Sequence, residues 1–130
     1  MEQVKVLVVD DESDFLETIV KRLQRRKINA TGVDSGKAAL ALLETETFDV
    51  VVLDVLMPGM DGIETLKHMK KRKPYMEVII LTGHASVESG IQGMQHGAFD
   101  YVMKPADLDE LITKIREAYE RKTIHEGQKA

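Results

Sequence analysis

At 130 residues the chain has room for one domain around a single core. Hydrophobic residues make up 43% and charged residues 31%, as in ordinary soluble globular proteins, and a formal net charge of −4 disfavours a surface built for nucleic acid or an anionic membrane. Without cysteine there can be no disulfide or thiolate metal site; the opening Met1-Glu2-Gln3-Val4-Lys5 lacks the basic and apolar regions of a signal peptide, and no apolar run approaches the ~18 residues of a membrane span, so a cytoplasmic protein is expected.

Val4-Lys5-Val6-Leu7-Val8-Val9 reads as a first strand, ending on Asp10-Asp11-Glu12. Ser13 is expected to cap the helix that follows, whose apolar stripe is Phe15, Leu16, Ile19, Val20 and Leu23. Arg22, Arg25, Arg26 and Lys27 close that helix and suit its dipole as a solvated last turn. Residues 28–33 predict a shorter, weaker strand near an edge of the sheet. Ser35 caps a second helix carrying Ala38, Leu40, Ala41, Leu42 and Leu43.

The third strand, residues 50–54, is the most informative stretch. Val50-Val51-Val52-Leu53 is an unbroken apolar run, as a parallel strand buried on both faces requires, and it ends on a carboxylate, Asp54. An ionised acid there needs a cation beside it. Met57-Pro58-Gly59-Met60-Asp61-Gly62 then punctuates a loop. Asp61 reads as the cap of a third helix marked by Ile63, Leu66, Met69 and the stem of Lys67; Met57, Met60 and Met69 read as packing. Lys70-Lys71-Arg72-Lys73-Pro74 ends that helix as a solvated basic turn.

Residues 77–81 form the fourth strand, followed by Thr82-Gly83. Residues 86–95 have helical spacing with Val87, Ile91 and Met94 expected inward; Gly90 and Gly93 inside the segment, each costing about 1 kcal/mol against alanine, predict the least stable helix. The fifth strand, residues 99–103, ends on Lys104-Pro105. Asp107-Leu108-Asp109-Glu110 resembles a capping box, and Leu108, Leu111, Ile112, Ile115 and Ala118 give the last helix its apolar face. Residues 1–122 are expected to be one domain, with 123–130 a polar, frayed C-terminal tail or the start of a linker.

Strand and helix alternate five times, which argues for an α/β fold: a doubly wound parallel sheet with helices on both faces. In such a sheet the working site lies beyond the carboxyl ends of the strands. There the chain places Asp10 and Asp11, Asp54, Thr82 and Lys104 at the ends of four different strands. Three carboxylates repel one another unless neutralised, and Lys104 supplies a single charge, so a hard dication with oxygen ligands, Mg²⁺ or else Mn²⁺, is expected. Asp54 then stands as a phosphoryl acceptor, with the metal, Lys104 and Thr82 each neutralising an oxygen of the transferred group. Taken singly, each piece has a plainer reading: an acidic helix start, a strand end, a turn. Their convergence is the argument. The four histidines, His68, His84, His96 and His125, lack ligand spacing. A dinucleotide site would need a glycine-rich turn where Asp10-Asp11-Glu12 stands, and no P-loop is present.

The motifs Val8-Val9-Asp10-Asp11-Glu12, Leu53-Asp54-Val55-Leu56-Met57-Pro58-Gly59-Met60-Asp61-Gly62, Leu81-Thr82-Gly83-His84-Ala85 and Asp100-Tyr101-Val102-Met103-Lys104-Pro105 resemble those of receiver domains of two-component response regulators, over about residues 5–119. The wording after Leu81 is similar to receivers attached to ATPase transcription activators. The resemblance implies a five-stranded, flavodoxin-like sheet of order 2-1-3-4-5. It implies that Asp54 accepts a phosphoryl group from a sensor histidine kinase or phosphotransfer protein. Asp11, Asp54 and the Leu56 carbonyl would bind Mg²⁺ directly and Asp10 mostly through water. Lys104 would pair with the phosphate while Thr82 and Tyr101 act as the switch, changing the face made by the fourth helix, fifth strand and fifth helix. That face could also carry a dimer contact. The protein would be a switch that catalyses only its own phosphorylation and dephosphorylation, acting on an output protein or on an output domain outside this chain, with no direct contact to nucleic acid or membrane. Leu56, unable to hydrogen-bond a water, implies slow self-dephosphorylation. Two rivals are a constitutive binding module with a vestigial site and a metal-dependent phosphohydrolase; the latter often has a second acid two residues after its nucleophile, where this chain has Leu56.

Overall fold

The computed structural model describes residues 3–55, 62–83, 87–104 and 107–129. Expectations for Leu56, Met57, Met60, Asp61, His84, Pro105 and the Ser86 start of the fourth helix lie outside the described residues, as does the side chain of Val87. The elements run β1 (Lys5–Val9), α1 (Ser13–Arg25), β2 (Asn29–Val33), α2 (Gly36–Leu43), β3 (Val50–Asp54), α3 (Gly62–Arg72), β4 (Glu77–Thr82), α4 (Val87–Gln95), β5 (Asp100–Met103) and α5 (Leu108–Lys129). All strand pairs are parallel, in the order β2-β1-β3-β4-β5. Expected and observed strand limits differ by a residue at most, and β2 is indeed an edge.

Alternation along the strands divides the core in two. Leu7, Val9, Val51, Leu53, Val78 and Ile80 face one way, against Ala39, Leu40 and Leu43 of α2 and Leu66 and Met69 of α3. Val6, Val8, Val52, Ile79 and Leu81 face the other, against Ile19 and Leu23 of α1 and Leu111, Ile115 and Ala118 of α5. Every residue of β3 is buried, because helices cover both sides of the central strand.

Two of the expected caps form. Ser35 Oγ accepts from the Ala38 amide at 3.1 Å, and the Asp107 carboxylate accepts from the amides of Asp109 at 2.9 Å and Glu110 at 3.2 Å. Ser13 does not cap α1: it is the first helical residue, and Glu12 holds the cap position without a side-chain hydrogen bond to the helix. Lys67 is exposed.

The α4 helix is turned over relative to the apolar spacing. Ile91 and Met94, expected inward, are 54% and 45% exposed, while Gly90 and Gly93 are buried. The cause is close approach to the sheet. A Cβ on Gly93 would stand 2.9 Å from Ile80 Cγ1, and one on Gly90 would stand 3.3 Å from the Tyr101 ring. Only the side-chain-free face fits there, and the bulky residues are left on the other side. Met94, Tyr101 and Met103, the last two from β5, are all at least 36% exposed.

The α5 helix continues to Lys129 instead of fraying from Thr123. The turn just before Thr123 is tied to the foot of the sheet. Arg121 binds the buried carboxylate of Glu77 at the start of β4 through both Nε and Nη2, the latter at 2.8 Å. Lys122 reaches Asp49 at 3.1 Å and Glu126 at 2.9 Å. No described helix is long and apolar enough to cross a membrane.

Candidate functional site

Asp10 directly follows β1. Its amide donates to the Val33 carbonyl at 3.1 Å, continuing the ladder to β2, and its Oδ1 accepts from the Glu12 amide at 2.9 Å. The side chain is therefore pinned, and the residue is fully buried. Asp54 ends β3, in register with Leu81 of β4, and is 4% exposed. Beyond it the chain is drawn back on the strand: the Gly62 amide donates to the Val55 carbonyl at 3.2 Å, and the Val55 amide to Leu81 at 3.3 Å. Lys104 leaves β5 and turns over the same rim.

The ammonium of Lys104 gathers the acids. Its Nζ lies 2.8 Å from Asp10 Oδ2, 3.1 Å from Glu12 Oε1 and 3.4 Å from Asp54 Oδ2, and 4.6 Å from the centre of the Phe15 ring. Burial acts to lower the Lys104 pKa, but the Asp10 and Glu12 carboxylates against its ammonium, with the charge of Asp54, outweigh burial and raise it. The side chain is thus cationic throughout the neutral range.

Carboxylate oxygens of Asp10, Glu12 and Asp54 all lie within 4.8 Å of one another. Among the described residues, three acids against one ammonium leave an excess of two formal negative charges. Asp10 Oδ2 is buried and, among the described residues, is met by the Lys104 ammonium as an ion pair and by no other polar partner. A buried carboxylate oxygen whose one close partner is a single shared ammonium, within a cluster carrying surplus negative charge, suits a hard divalent cation with oxygen ligands. Among the described residues the donor set is all carboxylate oxygen, which matches Mg²⁺ or Mn²⁺.

Of the residues expected here, the structure brings Asp10, Asp54 and Lys104 together. Asp11 is exposed and stands outside the group of three acids. Thr82 ends β4 on the same rim, paired with Met103 of β5; the direction of its side chain lies outside what is described. Tyr101 is 39% exposed on β5. Glu12 follows Asp10 and Asp11 at the end of the first strand but is not one of the residues the sequence assigns to the site. Its signal was its place at the start of α1, three residues before Phe15, where one helical turn brings the two onto the same face.

Fold and site together define an α/β protein with carboxylates and an ammonium clustered beyond the carboxyl edge of a parallel sheet. The family model for the response regulator receiver domain matches residues 6–116. The chain is 38% identical over 118 residues to the DNA-binding transcriptional regulator NtrC of Salmonella typhimurium, covering 91% of this chain and 25% of that protein. It is 35% identical over 126 residues to the transcriptional regulatory protein ZraR of Klebsiella oxytoca, covering 97% and 28%. Among solved structures, the receiver domain of the Francisella response regulator 1452 superposes with a TM-score of 0.84 at 39% identity, covering 92% of this chain and 98% of that one. NtrX from Brucella abortus, in complex with ADP, gives a TM-score of 0.93 at 27% identity, covering 98% and 30%. The chain belongs to the response regulator receiver domains of two-component signalling systems. It spans about a quarter of the length of the curated relatives it matches.

Proposed function

We propose that Asp54 is the phosphoryl acceptor of this receiver and that its phosphorylation, dependent on a divalent ion, is the signal the domain transmits. The observation that carries the reading is the approach of the Lys104 ammonium to Asp10 and Asp54, two buried carboxylates from different strands. A carboxylate oxygen of Asp54 attacks phosphorus, and the bond from phosphorus to the donor breaks. The donor leaves with that electron pair, and Asp54 becomes an acyl phosphate. Lys104 then neutralises a phosphoryl oxygen, and Thr82 donates to another. Asp54, with Asp11 and the Leu56 carbonyl, would hold Mg²⁺ directly and Asp10 mostly through water; the ion when bound supplies positive charge to the transferred group. The donor is a sensor histidine kinase or a phosphotransfer protein. The signal passes through the face of α4, β5 and α5 to an output domain or protein, with Thr82 and Tyr101 as the switch, and the same face can carry a dimer contact. In the relatives named NtrC and ZraR the output is transcriptional regulation, and this chain is proposed to serve an output of that kind. Residues 1–122 act as the unit, in the cytoplasm, without turnover of a metabolite.

The test is Mg²⁺ with beryllofluoride, a mimic of the acyl phosphate, followed by amide chemical shifts. Shifts are expected around Asp54, Thr82 and Lys104 and across α4, β5 and α5. Unchanged spectra would favour a vestigial binding module, and repeated turnover of small phosphate esters would favour a phosphohydrolase. Leu56→Asn is expected to shorten the lifetime of the acyl phosphate, because an amide two residues beyond Asp54 can position an attacking water where leucine cannot. An unchanged decay rate would remove Leu56 from the explanation of slow dephosphorylation.

A further inference from the structure

The first turn of α1 spends its side chains in an unusual way. Glu12 occupies the cap position yet makes no side-chain bond to the helix. Its amide is held by Asp10 Oδ1 at 2.9 Å, and its carboxylate reaches instead to Lys104, 92 residues away in sequence, at 3.1 Å. One turn on, the Phe15 ring faces the same ammonium at 4.6 Å. Lys104 Nζ is therefore nearer to Asp10 and Glu12 than to Asp54, which it meets at 3.4 Å. Asp10 and Asp54 are buried, whereas the Glu12 side chain is 67% exposed, so its hold is the one most easily released.

We propose that Glu12 and Phe15 are positioning residues that form a resting-state cradle for Lys104, and that the Lys104 ammonium must leave Glu12 when a phosphoryl group occupies Asp54. The inference rests on the reading of Asp54 as acceptor. A phosphoryl group presents oxygens with more negative charge than the carboxylate it replaces, and a charge-assisted bond to one of them draws the ammonium inward. Glu12 and the phosphoryl group then compete for a single cation. The ring of Phe15 carries no charge, so it guides the ammonium along its face without binding it in one place. In this arrangement Glu12 sets how readily the phosphorylated state forms while touching neither phosphorus nor Asp54.

The test compares beryllofluoride binding, at saturating Mg²⁺, in the wild type and in Glu12→Gln. Release of the competing carboxylate is expected to tighten binding about two- to fivefold, the range of an exposed ion pair. In a Lys104→Met background the same substitution is expected to change nothing. An equal gain there would mean that Glu12 acts by charge repulsion alone, and weaker binding in both backgrounds would make it a metal ligand; either result overturns the cradle. A second readout does not depend on affinity. In protein with ¹³C-labelled lysine, the ε-methylene signal of Lys104, identified by its loss in Lys104→Arg, is expected to carry a ring-current shift that Phe15→Leu removes and beryllofluoride reduces. A Lys104 signal indifferent to both would also overturn the proposal. Should the wild type fail to bind beryllofluoride at all, it is the acceptor reading that falls, and the ring-current comparison of wild type with Phe15→Leu still judges the cradle.

Discussion

Gly62→Ala is expected to destabilise the fold by about 3 kcal/mol or more and to impair the site at the same time. The new Cβ would stand 2.2 Å from Val55 Cα and 2.6 Å from the Asp54 carbonyl oxygen. Both are backbone atoms, so no rotamer change relieves the contact. Either α3 moves away from the sheet, giving up the packing of Leu66 and Met69, or the end of β3 moves and takes Asp54 with it. The bond from the Gly62 amide to the Val55 carbonyl, 3.2 Å, is lost in both cases. A displacement of Asp54 relative to Lys104 is expected to slow phosphoryl incorporation on the order of tenfold to a hundredfold in the fraction that remains folded. Urea unfolding and labelling from acetyl phosphate measure the two effects separately. Wild-type stability and rate in this variant would mean that α3 does not brace the acceptor strand.

Glu77→Ala is the second large effect expected, and it lies at the opposite end of the sheet. Glu77 is 1% exposed, yet its carboxylate is met by Arg121 of α5 and by Lys70 Nζ of α3 at 3.5 Å. Lys70 also donates to the carbonyls of Pro74 and Met76, both at 2.9 Å. Burial lowers the Lys70 pKa in spite of Glu77, while the hydrogen bond to Glu77 raises that of Arg121. Removing the carboxylate strands one largely buried cation and frees the end of α5. Breaking a buried pair costs roughly 3–5 kcal/mol; because Arg121 is 41% exposed and can turn to water, about 2–4 kcal/mol is expected here. A lower urea midpoint with unchanged slope would report it, together with faster amide exchange beyond Tyr119. Equal protection of the last turns in both proteins would show that α5 is held by something other than Glu77.

The parts of this fold that were legible in the sequence are those where one local pattern has one physical meaning. A short apolar run closing on an acid reads as a buried parallel strand delivering a carboxylate to the rim, and Asp10 and Asp54 are found there. The order of the strands has no such local signature; resemblance to receiver motifs implies it, and it is the order observed. In α4 apolar spacing points the wrong way, because the rule assumes that side chains do the packing. Here the sheet comes so close that only Gly90 and Gly93 fit against it, and the same two glycines that suggested weakness are the contact face. The polar stretch from Thr123 reads as frayed because what steadies it is far away in sequence: Arg121 and Lys122 just before it find Glu77 and Asp49, and His125 within it meets the Tyr75 ring. Glu12 escaped for the same reason: its partner, Lys104, belongs to the other end of the chain.

Covalent labelling decides the central matter. With acetyl phosphate and Mg²⁺, the wild-type protein is expected to take up a single acid-labile phosphoryl group, seen as one increment in intact mass. Asp54→Asn, which keeps the shape of the side chain but replaces the nucleophilic oxygen pair with an amide, is expected to take up none. Undiminished labelling of Asp54→Asn would place the acceptor elsewhere and leave the cluster around Lys104 without the role assigned to it.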